Sequence, residues 1–289
     1  MKIAFFLALA SLGLATNPAM ATPLTVDGDL SDWGITVIDG GNTSAGGSNY
    51  SGLRTDLIGS MIEDSNDTAG DGGYLGPHYG GQNYDAEFMG WAVQGGQFHV
   101  AILTGQRPDS GVNRYSPGDL RIETSLGTFG IEVGGGVGGG AGTALHEGDA
   151  GSTYNLNSNG YTNTSNPLLA TNAAQVAGSI WSGTDWINDA VTNTVPLQMK
   201  INSSSINHGL ADYIYTRNDP NSAQHSVIEM SFNTSIFNGA TIYGMYWLPS
   251  CGNDELKIEQ HYSVPEPAPL ALLGIGLLGL GLTRVRRRG

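Results

Sequence analysis

Residues 84–105 restrict the fold more than any other stretch of this chain. Tyr84 to Val93 reads as one strand, Gln94-Gly95-Gly96-Gln97 as a tight turn, and Phe98 to Gly105 as the returning strand. Strand side chains alternate between faces, so Phe98, Val100 and Ile102 share one face and His99, Ala101 and Leu103 the other. A second hairpin follows, with Leu120 to Thr124 leading into Gly127 to Val133. Asp212 to Thr216, Ser226 to Phe232 and Thr241 to Trp247 alternate in the same way, and Pro196 to Lys200 reads as an edge strand. Gly151 to Leu156 reads as a further short strand, and Asn233 to Phe237 as one helical turn. Long amphipathic helices are hard to find. The 44 glycines, with many Asn, Ser and Thr, call for numerous turns and long surface loops, above all over residues 39–83 and 134–142. The expectation is all-β: an antiparallel β-sandwich, jelly-roll-like, with long Gly/Asn/Ser-rich loops.

The two ends read as addresses. Lys2 precedes an apolar run from Ile3 to Ala15, and Ala19-Met20-Ala21 is a small-x-small cleavage site, so residues 1–21 read as a secretory signal peptide. Residues 263–289 hold Val264-Pro265-Glu266-Pro267, an apolar run from Leu270 to Leu282, and Arg284, Arg286, Arg287 and Arg288. The prolines keep the backbone extended, as a protease cleft requires. The uncharged stretch is interrupted by glycines and falls just short of the usual spanning length of about 17–25 residues. The arginines act as a membrane stop that holds the rest of the chain on the far side. This three-part tail resembles the PEP-CTERM sorting signal of bacteria that make exopolysaccharide. The resemblance implies a C-terminal hydrophobic sorting helix, transient anchoring in the inner membrane, recognition of Val264, Pro265, Glu266 and Pro267 by an exosortase, and cleavage nearby. The other reading of the tail is an ordinary anchor that is never cut.

Between the ends lies one body, residues 22–262. Its opening, Leu24-Thr-Val-Asp27-Gly28-Asp-Leu30-Ser-Asp-Trp33, resembles that of the family 9 carbohydrate-binding modules and their DOMON-like relatives, which are β-sandwiches. Tyr84-Asp-Ala-Glu87 before the central hairpin resembles the same families. Trp33 is expected to pack beneath the sandwich lid rather than to serve as a sugar platform. Some DOMON domains bind haem through Met and His; Met61 or Met89 with His78, His99 or His225 are the candidates here, and no spacing pairs them.

Residues 22–264 contain 25 Asp+Glu and 7 Lys+Arg, a balance of −18. Such a surface repels nucleic acid and anionic lipid, suits divalent cations and neutral or cationic glycans, and also favours solubility in a hydrated matrix. Asp85 and Glu87 lie two apart on one strand face, where like charges repel unless a cation or donors sit between them. With Asp119 they form the candidate calcium ligands, the alternatives being a solvated strand face and a strand cap. Asp64, Asp67 and Asp71 form a second acidic loop, in a spacing unlike an EF-hand. Trp181 and Trp186 are either core residues or carbohydrate contacts. The single cysteine, Cys251, forms no internal disulfide and reads as a structural thiol. The glycine run from Gly134 to Gly142 lacks the Lys-Ser or Lys-Thr of a phosphate cradle.

These readings imply an exported, exosortase-processed protein displayed at the cell surface or released into the extracellular polysaccharide (biofilm) matrix. Its expected role is non-catalytic, structural or glycan-binding. The alternative is a glycan-active hydrolase, which needs two carboxyls at a set separation across a cleft.

Overall fold

In the computed structural model the described residues are 22–38, 48–63, 86–106, 117–133, 161–162, 177–188, 196–216, 225–249 and 255–265. They form fifteen strands: β1 (Gly59–Ile62), β2 (Ala86–Gln94), β3 (Gln97–Thr104), β4 (Leu120–Thr124), β5 (Gly127–Ile131), β6 (Tyr161–Thr162), β7 (Ser179–Ser182), β8 (Asp185–Asn188), β9 (Pro196–Lys200), β10 (Ile206–Leu210), β11 (Asp212–Tyr215), β12 (Ser226–Asn233), β13 (Thr241–Trp247), β14 (Leu256–Ile258) and β15 (Tyr262–Ser263). Two single 3-10 turns, Leu30–Trp33 and Thr234–Phe237, are the helical segments among the described residues, and none is long and apolar enough to cross a membrane. The expected sorting helix, Gly151 to Leu156, the Gly134–Gly142 run, Asp64, Asp67, Asp71, His78 and Cys251 lie outside the described residues.

The first sheet has the order β1-β2-β3-β12-β11-β6 and the second β10-β7-β5-β4-β13-β14, with β15 also on β13. All described pairings are antiparallel. One apolar core lies between the sheets. Met89, Trp91, Phe98, Val100, Ile102, Tyr213, Ile228 and Met230 enter it from the first sheet; Leu120, Ile122, Phe129, Ile131, Ile180, Ile242, Met245 and Trp247 enter it from the second. Phe237, set by the Asn233-capped turn, stacks edge-on against Phe98 and Phe129 and so ties the layers together. Both predicted hairpins are present. Residues 39–83 are not loop throughout: β1 emerges there and pairs with β2 through Met61↔Met89. Its four residues lack the apolar alternation that marks a strand.

The central strands are buried on both faces. The outer face of the first sheet presents Phe88, Ala92, Ala101, Leu103 and Val227, and the segment from Leu24 to Ile35 lies over it as a strap, inserting Leu24, Leu30, Trp33 and Ile35. The side-chain alternation of β2 is reset by a bulge at Glu87, which turns Ala86 inward and Phe88 outward. Arg54 fastens the strap from below. Its guanidinium donates to the carbonyls of Thr22 and Asp32 and pairs with Asp56 at 2.6 Å.

The strap is fixed at one buried side chain, Glu229 on β12. Trp33 Nε1 donates to its Oε1 at 2.8 Å, and the backbone N–H groups of Gly28 and Asp27 donate to Oε2 at 2.6 and 3.1 Å. The Asp27-Gly28 turn makes this geometry possible: Gly28 has φ +83, and a Cβ there would lie 2.5 Å from Thr216 Cγ2. Burial pushes the Glu229 carboxyl up to about 8, with Asp32 adding to the push and the three N–H donors opposing it.

Truncating Trp33 removes a core ring and leaves a Glu229 oxygen without its donor. Trp33→Ala should lower stability by about 3–5 kcal/mol, read from urea midpoints; a loss under about 1 kcal/mol, ordinary for a surface site, contradicts the assigned role. The raised Glu229 value also fixes a pH slope. Between its unfolded value of 4.5 and about 8 the folded state keeps a proton that the unfolded chain releases, so stability falls as pH rises. Thermal melts should give a higher midpoint at pH 5 than at pH 8, with this group contributing at most about 1.4 kcal/mol per pH unit. A midpoint that rises over that window contradicts it.

Candidate functional site

Buried polar side chains gather where the strands of both sheets run out. From the first sheet come Glu63 after β1, Glu87 in β2, Gln106 after β3 and His225 before β12; from the second come Asp119 before β4 and Glu132 after β5. His225 Nε2 lies 2.7 Å from Glu87 Oε1, an ion pair when the imidazole is protonated. The Glu63 N–H donates to the Glu87 carbonyl at 2.8 Å. Tyr215 donates its hydroxyl proton to the Gln106 carbonyl at 2.9 Å, and Tyr213 donates to the Val133 carbonyl, so the two tyrosines of β11 secure the chain leaving both sheets. A surface pocket of about 400 Å³ opens beside this end, between the strap and β12, with Asp29, Ser31, Thr216 and His225 on its walls.

The three candidate calcium ligands do not come together as one described group. Asp85 lies outside the described residues. Glu87 belongs to the first sheet and is engaged by His225. Asp119 lies beside the second sheet, fully buried, accepting N–H bonds from Val133 at 3.0 Å and Met199 at 2.8 Å. Burial and the neighbouring Glu132 push its carboxyl well above the usual range, against the pull of those two amides. It therefore ties β9 and the segment after β5 to the start of β4. Among the described residues no group of three or more His, Cys, Asp or Glu side chains is placed to hold a metal. The haem candidates separate likewise: Met61 and Met89 face the inter-sheet core, while His99 lies on the outer face, where burial lowers its basicity.

The two tryptophans have different surroundings. Trp181, on β7, is 5% exposed, with its Nε1 donating to Ser179 Oγ at 2.9 Å. At that burial the Trp181 ring packs within the fold, the core alternative. Trp186, on β8, is half-buried on the outer side of the second sheet. The β8–β9 hairpin lies over Gly130, where a Cβ would come 2.5 Å from Met199 Sδ and 3.1 Å from Trp186. Beside Trp186 runs a row of alternating rings and cations. Arg121 Cζ lies 5.7 Å from the ring centroids of both Trp186 and Tyr246, and Lys257 Nζ lies 5.2 Å from Tyr246. Both cations are paired within the row, Arg121 with Glu123 at 3.0 Å and Lys257 with Glu259 at 2.5 Å. Sequence inspection singled out Trp186 but not Tyr246; the signal available was the outward register of Arg121, Tyr246 and Lys257 on neighbouring strands.

The C-terminal end of the body is also defined. Tyr262 and Ser263 pair with Ile242 and Thr241. Val264 continues the ladder through an N–H bond of 3.0 Å to the Ala240 carbonyl, and its side chain is buried in the inter-sheet core. The body's packing thus runs two residues past 262. Pro265 is exposed.

Comparison with known proteins meets this boundary. A family model described as the PEP-CTERM protein-sorting motif matches residues 263–288. No curated protein and no solved structure matches the chain. The matched tail begins on the last strand of a β-rich body. It carries the motif that exosortases process, and that motif implies an exported, surface-sorted protein.

Proposed function

We propose that the body is a non-catalytic β-sandwich which, once exosortase has removed the tail, is displayed in or released into the extracellular polysaccharide and contacts neutral glycan there. The observation that carries the reading is the outer face of the second sheet, where Trp186 and Tyr246 remain half-exposed beside internally paired cations. Aromatic faces stack on the C–H faces of sugar rings, and charged groups already neutralised by a neighbour offer donors and acceptors to hydroxyls without favouring an ionic ligand. The sequence likeness of the Asp27-Gly28 opening to sugar-binding sandwiches supports the same reading. A glycosidase needs two carboxyls facing each other across an open cleft. Two buried carboxyls, Asp119 and Glu229, hold the fold through backbone and indole N–H groups.

Affinity electrophoresis of the mature body through gels containing the producer's polysaccharide tests the proposal. The body should be retarded, and the double variant Trp186→Ala, Tyr246→Ala should bind about tenfold more weakly, a loss of about 1.4 kcal/mol. Unretarded migration of the unaltered body removes the glycan reading, and release of reducing sugar establishes the hydrolase instead.

A further inference from the structure

Val264 is the first residue of Val264-Pro265-Glu266-Pro267, yet the fold owns it. It is 3% exposed and packs in the inter-sheet core with Ile242 and Phe237, and its N–H is bonded to Ala240. The two residues before it are paired as well. Tyr262 meets Trp91 of the opposite sheet edge-on at 5.5 Å, and the Ser263 and Thr241 hydroxyls lie 3.3 Å apart across the ladder. Pro265 has no N–H and cannot extend the pairing, so among the described residues the ladder stops at the Val264–Pro265 junction. A protease must draw the residues flanking the scissile bond into its own cleft, and a chain already paired and buried in a sheet is available only through local unfolding.

We infer that exosortase cuts on the C-terminal side of Pro265, and that Val264 stays with the mature body as a core residue. In that step the C–N bond of a peptide beyond Pro265 breaks. The body's acyl carbon passes to water or to an acceptor hydroxyl or amine, and the new amine of the tail takes the attacking group's proton. Val264 thus acts as a positioning residue for the processing reaction. Its burial places Pro265 at the edge of the sandwich and withdraws the Ser263–Val264 and Val264–Pro265 bonds from an extended cleft. This inference rests on the exosortase reading.

Two measurements on the full chain test it. The first is the intact mass of the mature body from an exosortase-bearing host, compared with the chain from a host lacking the enzyme. A C-terminus at Pro265 or later is expected; one at Val264 or earlier overturns the inference while leaving exosortase processing intact. A chain uncut in both hosts removes the processing reading and the inference with it. The second is independent of exosortase. Limited digestion of the full chain in detergent with a broad-specificity protease should yield a core ending at Val264 or later. Val264→Asp should shift that limit upstream of Tyr262, whereas Glu266→Ala should leave it in place. Equal cutting upstream of Val264 in the unaltered chain and both variants overturns the inference.

Discussion

A carboxyl held beneath a strap organises the first sheet. Its central strands would otherwise show water an apolar face of Phe88, Ala101, Leu103 and Val227. The segment from Leu24 to Ile35 covers that face, and its attachment converges on Glu229. Desolvating a carboxyl is costly, and three directed N–H donors offset part of that cost. The same donors select one position for the strap, since Trp33, Gly28 and Asp27 must all reach one side chain. The lock therefore contributes geometry as well as stability. It gives the sandwich a third layer and leaves the strap-side pocket open beside His225.

Strand alternation was legible wherever the strands are long. The hairpins at 86–104 and 120–131 and the strands β11, β12 and β13 follow directly from period-two patterning and turn residues. The elements that escaped are short, or polar on both faces: β1, β10 and β15 have two to five residues each and are held by neighbours distant in sequence. Trp33 was legible as a buried ring, but its partner was not. Glu229 sits in Val227-Ile228-Glu229-Met230, where the local pattern says only that a polar residue faces outward. That this outward face is itself covered depends on a segment about 200 residues away. Glu87 and Asp119 read in the sequence as candidate calcium ligands, from like charges on one strand face and from a Pro-Gly-Asp-Leu strand entry. What surrounds them here is backbone amides and a histidine.

Tail and body are joined with no slack. The motif match begins at Ser263, inside β15, and the next residue is in the core. Sorting information and folding information thus overlap by a short segment at the end of a strongly acidic body. The outer face of the second sheet carries a row of rings and paired cations.

Hydrogen exchange resolved at the strap is the most direct test of this architecture. The indole N–H of Trp33 and the amide of Gly28 should exchange as slowly as the amides of β3, because releasing them requires opening the layer over Glu229. Exchange of those two protons at free-loop rates, while β3 stays protected, would show that the strap is not part of the folded core.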